Sequence, residues 1–173
     1  MAFLRAVNVG GRTITGATLR SLLGDLDLGR VSTFIASGNV IFEGAGGDPG
    51  RIERRVESAL SAGLGYEVDT FVRSIEEIAG LVAEPVFTPA DGVTIHVGFM
   101  RRAPSRKVAA ALAALGDAGD RLVPEGRQLW WRRAGRTIDS PLATPVLGQT
   151  LGQPITMRNL RTLERLSAKY APG

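Results

Sequence analysis

Apolar positions recur along the chain with two periods, and the switches between them mark the elements. Residues 2–7, Ala-Phe-Leu-Arg-Ala-Val, form a short strand-like run. Leu19, Leu22, Leu23 and Leu26 then follow at helical spacing, behind Thr15, a residue type whose hydroxyl caps helix starts. "RVSTFIASGNVIFEG" holds two β-rich runs broken by Ser37-Gly38-Asn39, a hairpin signal. In "DPGRIERRVESALSAGLG", Asp48 is the expected N-cap, Pro49 the first helical residue and Gly63 the stop, with Ile52, Val56 and Leu60 as the apolar stripe. "EVDTFVRS" supplies a fourth strand. Strand–helix–strand–strand–helix–strand is the ferredoxin-like plan. In it the helices cover one face of a four-stranded antiparallel sheet, and the other face is expected to stay available.

The second half begins with a connecting helix, "SIEEIAGLVAE", and a Pro-containing loop. "VTIHVGFM" reads as a strand, "SRKVAAALAALG" as a helix, and "DRLVPEGRQLWWRR" as two strands around a Pro-Glu-Gly turn. "DSPLATPVLGQTLG" is helix-like despite Pro145, and "TMRNLRTLERLSAKY" reads as one final helix standing where a last strand belongs. The expectation is an α+β chain of two tandem ferredoxin-like (βαββαβ-type) halves with antiparallel sheets, residues 1–74 and 75–173, the second ending in helices.

Composition removes several chemistries. A chain of 173 residues, 44% hydrophobic and 22% charged, can bury an ordinary globular core. It has no cysteine, and His96 is its one histidine, so disulfides, thiolate ligands and multi-histidine metal sites are excluded. The carboxylates are scattered without metal-ligand spacing, and no nucleophile–base–orienter set can be assembled. No metal and no cofactor is therefore expected. No apolar run approaches the roughly 18 residues of a spanning helix, and no signal-peptide pattern is present, so a cytoplasmic location without membrane contact is expected. Charge is uneven. Residues 1–74 carry eight basic and eight acidic side chains, whereas residues 92–173 carry 13 basic and five acidic, a net of +8. Such a half can attract polyanions, although 19 of the 21 basic residues are Arg, which also fits a compositional bias.

Three stretches could carry binding. In "FLRAVNVGGRTITGATLRSLL" the two glycines of "GRTITGAT" have phosphate-loop separation, but Ala17 stands where the phosphate-binding Lys belongs. What remains is a turn whose Gly10 and Gly11 permit close approach and whose flanking Arg5 and Arg12 offer guanidinium forks; a plain turn has the same composition. In the final helix Arg158, Arg161, Arg165 and Lys169 form a basic stripe opposite Met157, Leu160, Leu163 and Leu166, either an anion track or a solvated face. Arg158 in a first helical turn would gain from a nearby anion. "RQLWWRRAGR" interleaves Trp130 and Trp131 with arginines, the composition of a base-stacking surface or of a core edge. Phe42, with Phe3 beside it, is a thin match to an RNA-recognition sheet. His96 falls opposite the Val93/Ile95/Val97 face and is expected to be exposed or to lie between the halves.

Together, "FLRAVNVGG", "FIASGNVIF" and "GQPITMRNLRTLERL" resemble a bacterial family, domain of unknown function 1697. Its members typically read Leu-Arg-Gly-Ile-Asn-Val-Gly-Gly near the start, a Gln-Ser-Gly-Asn-Val hairpin, and a Thr-x-Arg-Asn-Trp helix near the end. The resemblance spans essentially the whole chain and implies a cytoplasmic α+β protein with two ferredoxin-like halves, without supplying an activity. Its signature falls on Arg5, Asn8, Gly10, Gly11, Ser37, Gly38, Asn39, Arg158, Asn159 and Thr162. This chain departs at Ala36 for the usual Gln, at Leu160 for the Trp, and at Pro141, where Ser-Lys is usual. With Arg12 and Arg161 added, these residues make up the expected ligand set, rich in amide and guanidinium donors and poor in groups that exchange protons. The reading is a module binding a phosphate-bearing ligand, nucleic acid or nucleotide, at a site where the three segments converge. A small enzyme acting on a phosphorylated or nucleotide substrate by positioning is the first alternative. A homo-oligomeric scaffold is the second.

Overall fold

The computed structural model describes residues 1–173 apart from 6, 9–12, 44–46, 136, 138, 139, 143, 172 and 173, with backbone alone at 36 and 37. Two compact units result, Met1–Ser74 and Ile75–Gly173.

The first unit runs β1 (Ala2–Leu4), α1 (Gly16–Leu23), β2 (Ser32–Phe34), β3 (Ala36–Ile41), α2 (Pro49–Leu64) and β4 (Thr70–Val72), with sheet order β2-β3-β1-β4. Both helices start on the caps their sequences announce. Thr15 Oγ1 accepts from Thr18 N at 3.1 Å, and Asp48 Oδ2 accepts from Arg51 N at 2.9 Å ahead of Pro49. Each bond satisfies a helix-start N–H that has no partner within the helix. Leu19, Leu23, Ile52, Val56 and Leu60 bury their stripes against Ala2, Leu4, Val40 and Val72 of the sheet. Gly63 is not the stop. A Cβ there would collide with the Leu22 side chain, so it marks where α1 and α2 meet closely, and Gly65, at φ 76°, ends the helix in the left-handed conformation.

α2 also finishes the sheet. β4 is an edge strand, and Glu53 and Glu57, one helical turn apart, accept from Val72 N at 2.8 Å and Thr70 N at 2.9 Å. An edge that would offer free N–H groups to another chain is thereby closed. Phe3 and Phe71, cross-strand partners on β1 and β4, are fully buried. Phe3, being buried, offers no exposed ring for the RNA-recognition surface expected around it.

The second unit adds α3 (Ile75–Ala83), then β5 (Val93–Met100), α4 (Arg106–Ala114), β6 (Asp120–Glu125), β7 (Gln128–Ala134), α5 (Thr144–Leu151), β8 (Ile155–Asn159) and α6 (Leu160–Tyr170). Its sheet order, β6-β7-β5-β8, repeats that of the first unit, strand for strand. The chain is thus two antiparallel four-stranded α+β units of ferredoxin-like plan. Pro145 sits within the first turn of α5, where no intrahelical N–H bond is lost. The stretch expected to open the last helix is instead β8, paired antiparallel to β5 from Met100↔Ile155 to His96↔Asn159. Met157 is accordingly a strand residue packed on the α4/α5 core. Beyond it Leu160, Leu163 and Leu166 form the buried stripe of α6, which packs on α3.

Both tryptophans of β7 are buried, which overturns the base-stacking reading. Trp130 Nε1 donates to Glu125 Oε2 at 3.2 Å and Trp131 Nε1 to Asp120 Oδ1 at 2.6 Å. A buried indole needs a partner for its N–H, and cross-strand carboxylates provide one for each.

Candidate functional site

Register decides where the second unit can meet a ligand. β8 ends at Asn159, whose side-chain Oδ1 accepts from Arg161 N at 2.9 Å and so caps α6. The strand-to-helix switch therefore sets the first turn of α6 beside the start of β5. Gly92 and Gly135 stand across from it at φ 70° and 84°, conformations glycine adopts without strain, joined by Gly135 N donating to Gly92 O at 2.8 Å. Open space lies where a Cβ at either position would project. These segments enclose a half-open groove of about 510 Å³, with Asp91, Thr94, Asn159, Arg161 and Glu164 in its wall. That volume lies within the few-hundred to roughly 1,000 Å³ span of small-ligand sites.

The groove carries a mixed set of polar groups. Arg161 is exposed, and neither its guanidinium nor the Glu164 carboxylate makes an ion pair among the described residues. Main-chain N–H groups of the α6 first turn give this end a partial positive charge. Among the described residues no group of three or more His, Asp or Glu could hold a metal ion.

The predicted ligand residues belong to both units. Asn159 and Arg161 share the groove wall. Arg158 does not. It lies on β8 opposite Val97, on the other sheet face from Asn159, and its Nη1 donates to Thr156 Oγ1 at 2.9 Å and to Met157 O at 2.8 Å. Burial pushes its guanidinium down to about 10, leaving it charged at neutral pH. The four-residue basic stripe is therefore corrected to Arg161, Arg165 and Lys169 on α6, because Arg158 belongs to a strand.

In the first unit Arg5 pairs with Asp69 at 3.0 Å, Asn8 Oδ1 accepts from Ile14 N at 2.8 Å, and buried Asn39 donates to Phe34 O at 3.1 Å. Gly38 lies on β3, in the irregular part of its pairing with β2. The three asparagines Asn8, Asn39 and Asn159 thus share one structural task, fixing a turn or a helix start by an amide-to-backbone bond. Gly10, Gly11, Arg12 and the Ser37 side chain lie outside the described residues. Sequence reasoning missed Asp91, Gly92, Thr94, Gly135 and Glu164. The Asp91-Gly92 turn signal was the available clue to the first two.

His96 is neither exposed nor a core residue. It is half-buried on the α4/α5 side of the sheet, its ring 5.2 Å from that of Trp131, with Asn159 as cross-strand neighbour. Its Nδ1 is buried without a hydrogen-bond partner, and burial lowers its pKa from the ordinary 6.5. A base whose folded pKa is depressed binds fewer protons when folded than when unfolded. Its effect on stability is absent above about pH 7 and becomes a loss as pH falls below 6.5. As the single histidine, it gives one imidazole signal by NMR. That signal is expected to titrate below 6.5, and a His96→Phe variant is expected to lose this part of the acid sensitivity.

Fold and groove define a class: an α+β protein of two ferredoxin-like units, with a small-ligand-sized groove in the second. The chain belongs to the DUF1697 family, described as protein of unknown function, which it matches over residues 1–130. A solved structure of the conserved bacterial protein SP0830 from Streptococcus pneumoniae is similar in fold, with a TM-score of 0.72 at 19% identity over 96% of this chain and 95% of that one. No curated protein matches the sequence. No helix among the described residues is long and apolar enough to cross a membrane.

Proposed function

We propose that the protein is a binding module for a phosphate-bearing small ligand of nucleotide type, taken up in the groove at the start of α6. The observation that carries this reading is Arg161. Its guanidinium stands in the groove wall beside the first turn of α6 and makes no ion pair among the described residues. A phosphate oxygen can accept from it bidentately while facing the positive helix end. The net charge of +8 over residues 92–173 favours the approach of such an anion. Asp91 and Glu164 in the same wall favour a ligand that also offers hydroxyl or amine donors, and a nucleotide has both. Without an assembled nucleophile and base, the groove suits holding better than cleaving.

Calorimetric titration with ADP and with inorganic phosphate tests this. ADP is expected to bind saturably and more tightly than phosphate. Arg161→Ala is expected to weaken ADP at least tenfold, about 1.4 kcal/mol, with an unchanged melting curve, since the side chain is exposed. Equal affinity in the variant, or no heat at low salt, contradicts the proposal.

A further inference from the structure

The other end of β5 carries a different surface. Within the seven residues from Arg101 to Lys107 stand Arg101, Arg102, Arg106 and Lys107, and no acidic residue occurs from there to Gly116. Arg102, Arg106 and Lys107 are exposed, and none of the three makes an ion pair among the described residues. The segment is held in place. The Gln153 amide bridges the Arg102 backbone from both sides, accepting from Arg102 N at 3.2 Å and donating to Arg102 O at 2.9 Å. The β6–β7 turn arrives at the same end, because Met100 N donates to Arg127 O at 3.0 Å. At that turn Arg127 is paired with Glu77 at 2.8 Å, and Glu125, exposed, accepts from the Trp130 indole while keeping its charge, so the edge as a whole stays net positive. Arg106 and Lys107 also occupy the first turn of α4, where a cation opposes the helix dipole. Three exposed cations, Arg102, Arg106 and Lys107, on a pinned segment with no acid among its own residues leave a positive edge that favours the approach of a polyanion.

We infer that this β5–α4 edge is a docking surface for the sugar–phosphate backbone of a nucleic acid. No aromatic residue occurs from Arg101 to Leu115, so the surface has nothing on which bases can stack. Recognition is of phosphates and carries no sequence preference. The surface is separate from the groove, about 25 Å away along the eight residues of β5, and does not depend on what the groove holds.

Fluorescence anisotropy with two labelled duplexes of unrelated sequence, read across a salt series, tests the inference. Equal binding of both is expected, with log K falling against log salt at a slope of about −3, roughly −0.9 for each of three to four phosphates. The variant R102E/R106E/K107E should lose binding at least tenfold and flatten the slope. A glutamine version of the triple variant, checked by its melting curve, guards against a folding defect and should weaken binding in the same direction. Absence of binding at low salt, unchanged affinity in both triple variants, or marked preference for one sequence would each overturn the inference. So would tighter binding to polyglutamate or to anionic vesicles than to the duplexes, which would assign the edge to an acidic protein or to a lipid surface.

Discussion

Replacing Asp120 by alanine is expected to cost about 3–5 kcal/mol, the range for stripping one partner from a buried ion pair. The carboxylate is 1% exposed at the start of β6 and joins three donors. Oδ1 takes the Trp131 indole at 2.6 Å, and Oδ2 takes Arg133 Nη1 and Ser140 Oγ, both at 2.8 Å. Without it the Arg133 side chain, only 14% exposed, loses its counter-charge, and a buried N–H loses its acceptor. The tie that Ser140 makes from the residues after β7 back to β6 goes as well. For a chain of this size the melting temperature should fall by roughly 10 °C. Asp120→Asn, which keeps an acceptor for Trp131 but removes the charge beside Arg133, should fall between. A loss below about 1 kcal/mol in a urea titration of the alanine variant would show that the network is not what holds β6, β7 and the following segment together.

The second large effect is expected at the edge of the first sheet. Removing both α2 carboxylates in Glu53→Ala/Glu57→Ala leaves Val72 N and Thr70 N without acceptors. Orphaned buried donors cost about 1–3 kcal/mol each, so about 2–6 kcal/mol is expected for the pair. The consequence should go beyond stability, because an unmasked edge strand pairs with other chains. Light scattering should show concentration-dependent association in the alanine variant. The glutamine pair, which can still accept from both N–H groups, should remain close to the parent in both measurements. Equal behaviour of the two variants would mean that charge, not edge closure, is what Glu53 and Glu57 contribute.

Much of the fold is readable locally because its signals are local. Thr15 and Asp48 cap where their hydroxyl and carboxylate must, and Ile52, Val56 and Leu60 fall on one helical stripe whatever surrounds them. The failures come where distant partners decide. Met157, Leu160 and Leu163 keep helical spacing across Asn159, which made residues 156–170 look like one helix. Pairing with β5 captures residues 155–159 as a strand, and only the cap preference of Asn159 hinted at the break. Trp130 and Trp131 among arginines have the composition of a stacking surface, yet Asp120 and Glu125 on the neighbouring strand supply the bonds that let both indoles be buried. The burial of β1 and β4 had a signal that the expectation of an open face passed over: Ala-Phe-Leu and Thr-Phe-Val are buried at every position and lack the polar alternation of a half-exposed strand.

The candidate site was half legible for the same reason. Asn159 and Arg161 announce themselves as a capped, basic helix start. The groove itself needs the Gly92 and Gly135 turns, 43 residues apart, to meet through a backbone bond that no local pattern encodes. Asn8 and Asn39 stood out chemically, and their side chains bond to Ile14 N and Phe34 O.

The groove at the start of α6 is proposed to bind a nucleotide-type anion. Amide NMR of the ¹⁵N-labelled chain during an ADP titration tests it residue by residue. Saturable shifts are predicted at Gly92, Thr94, Gly135 and residues 159–162, all with one affinity, and all reduced by Arg161→Ala. An unchanged spectrum, or saturable shifts that leave these residues untouched, would contradict it.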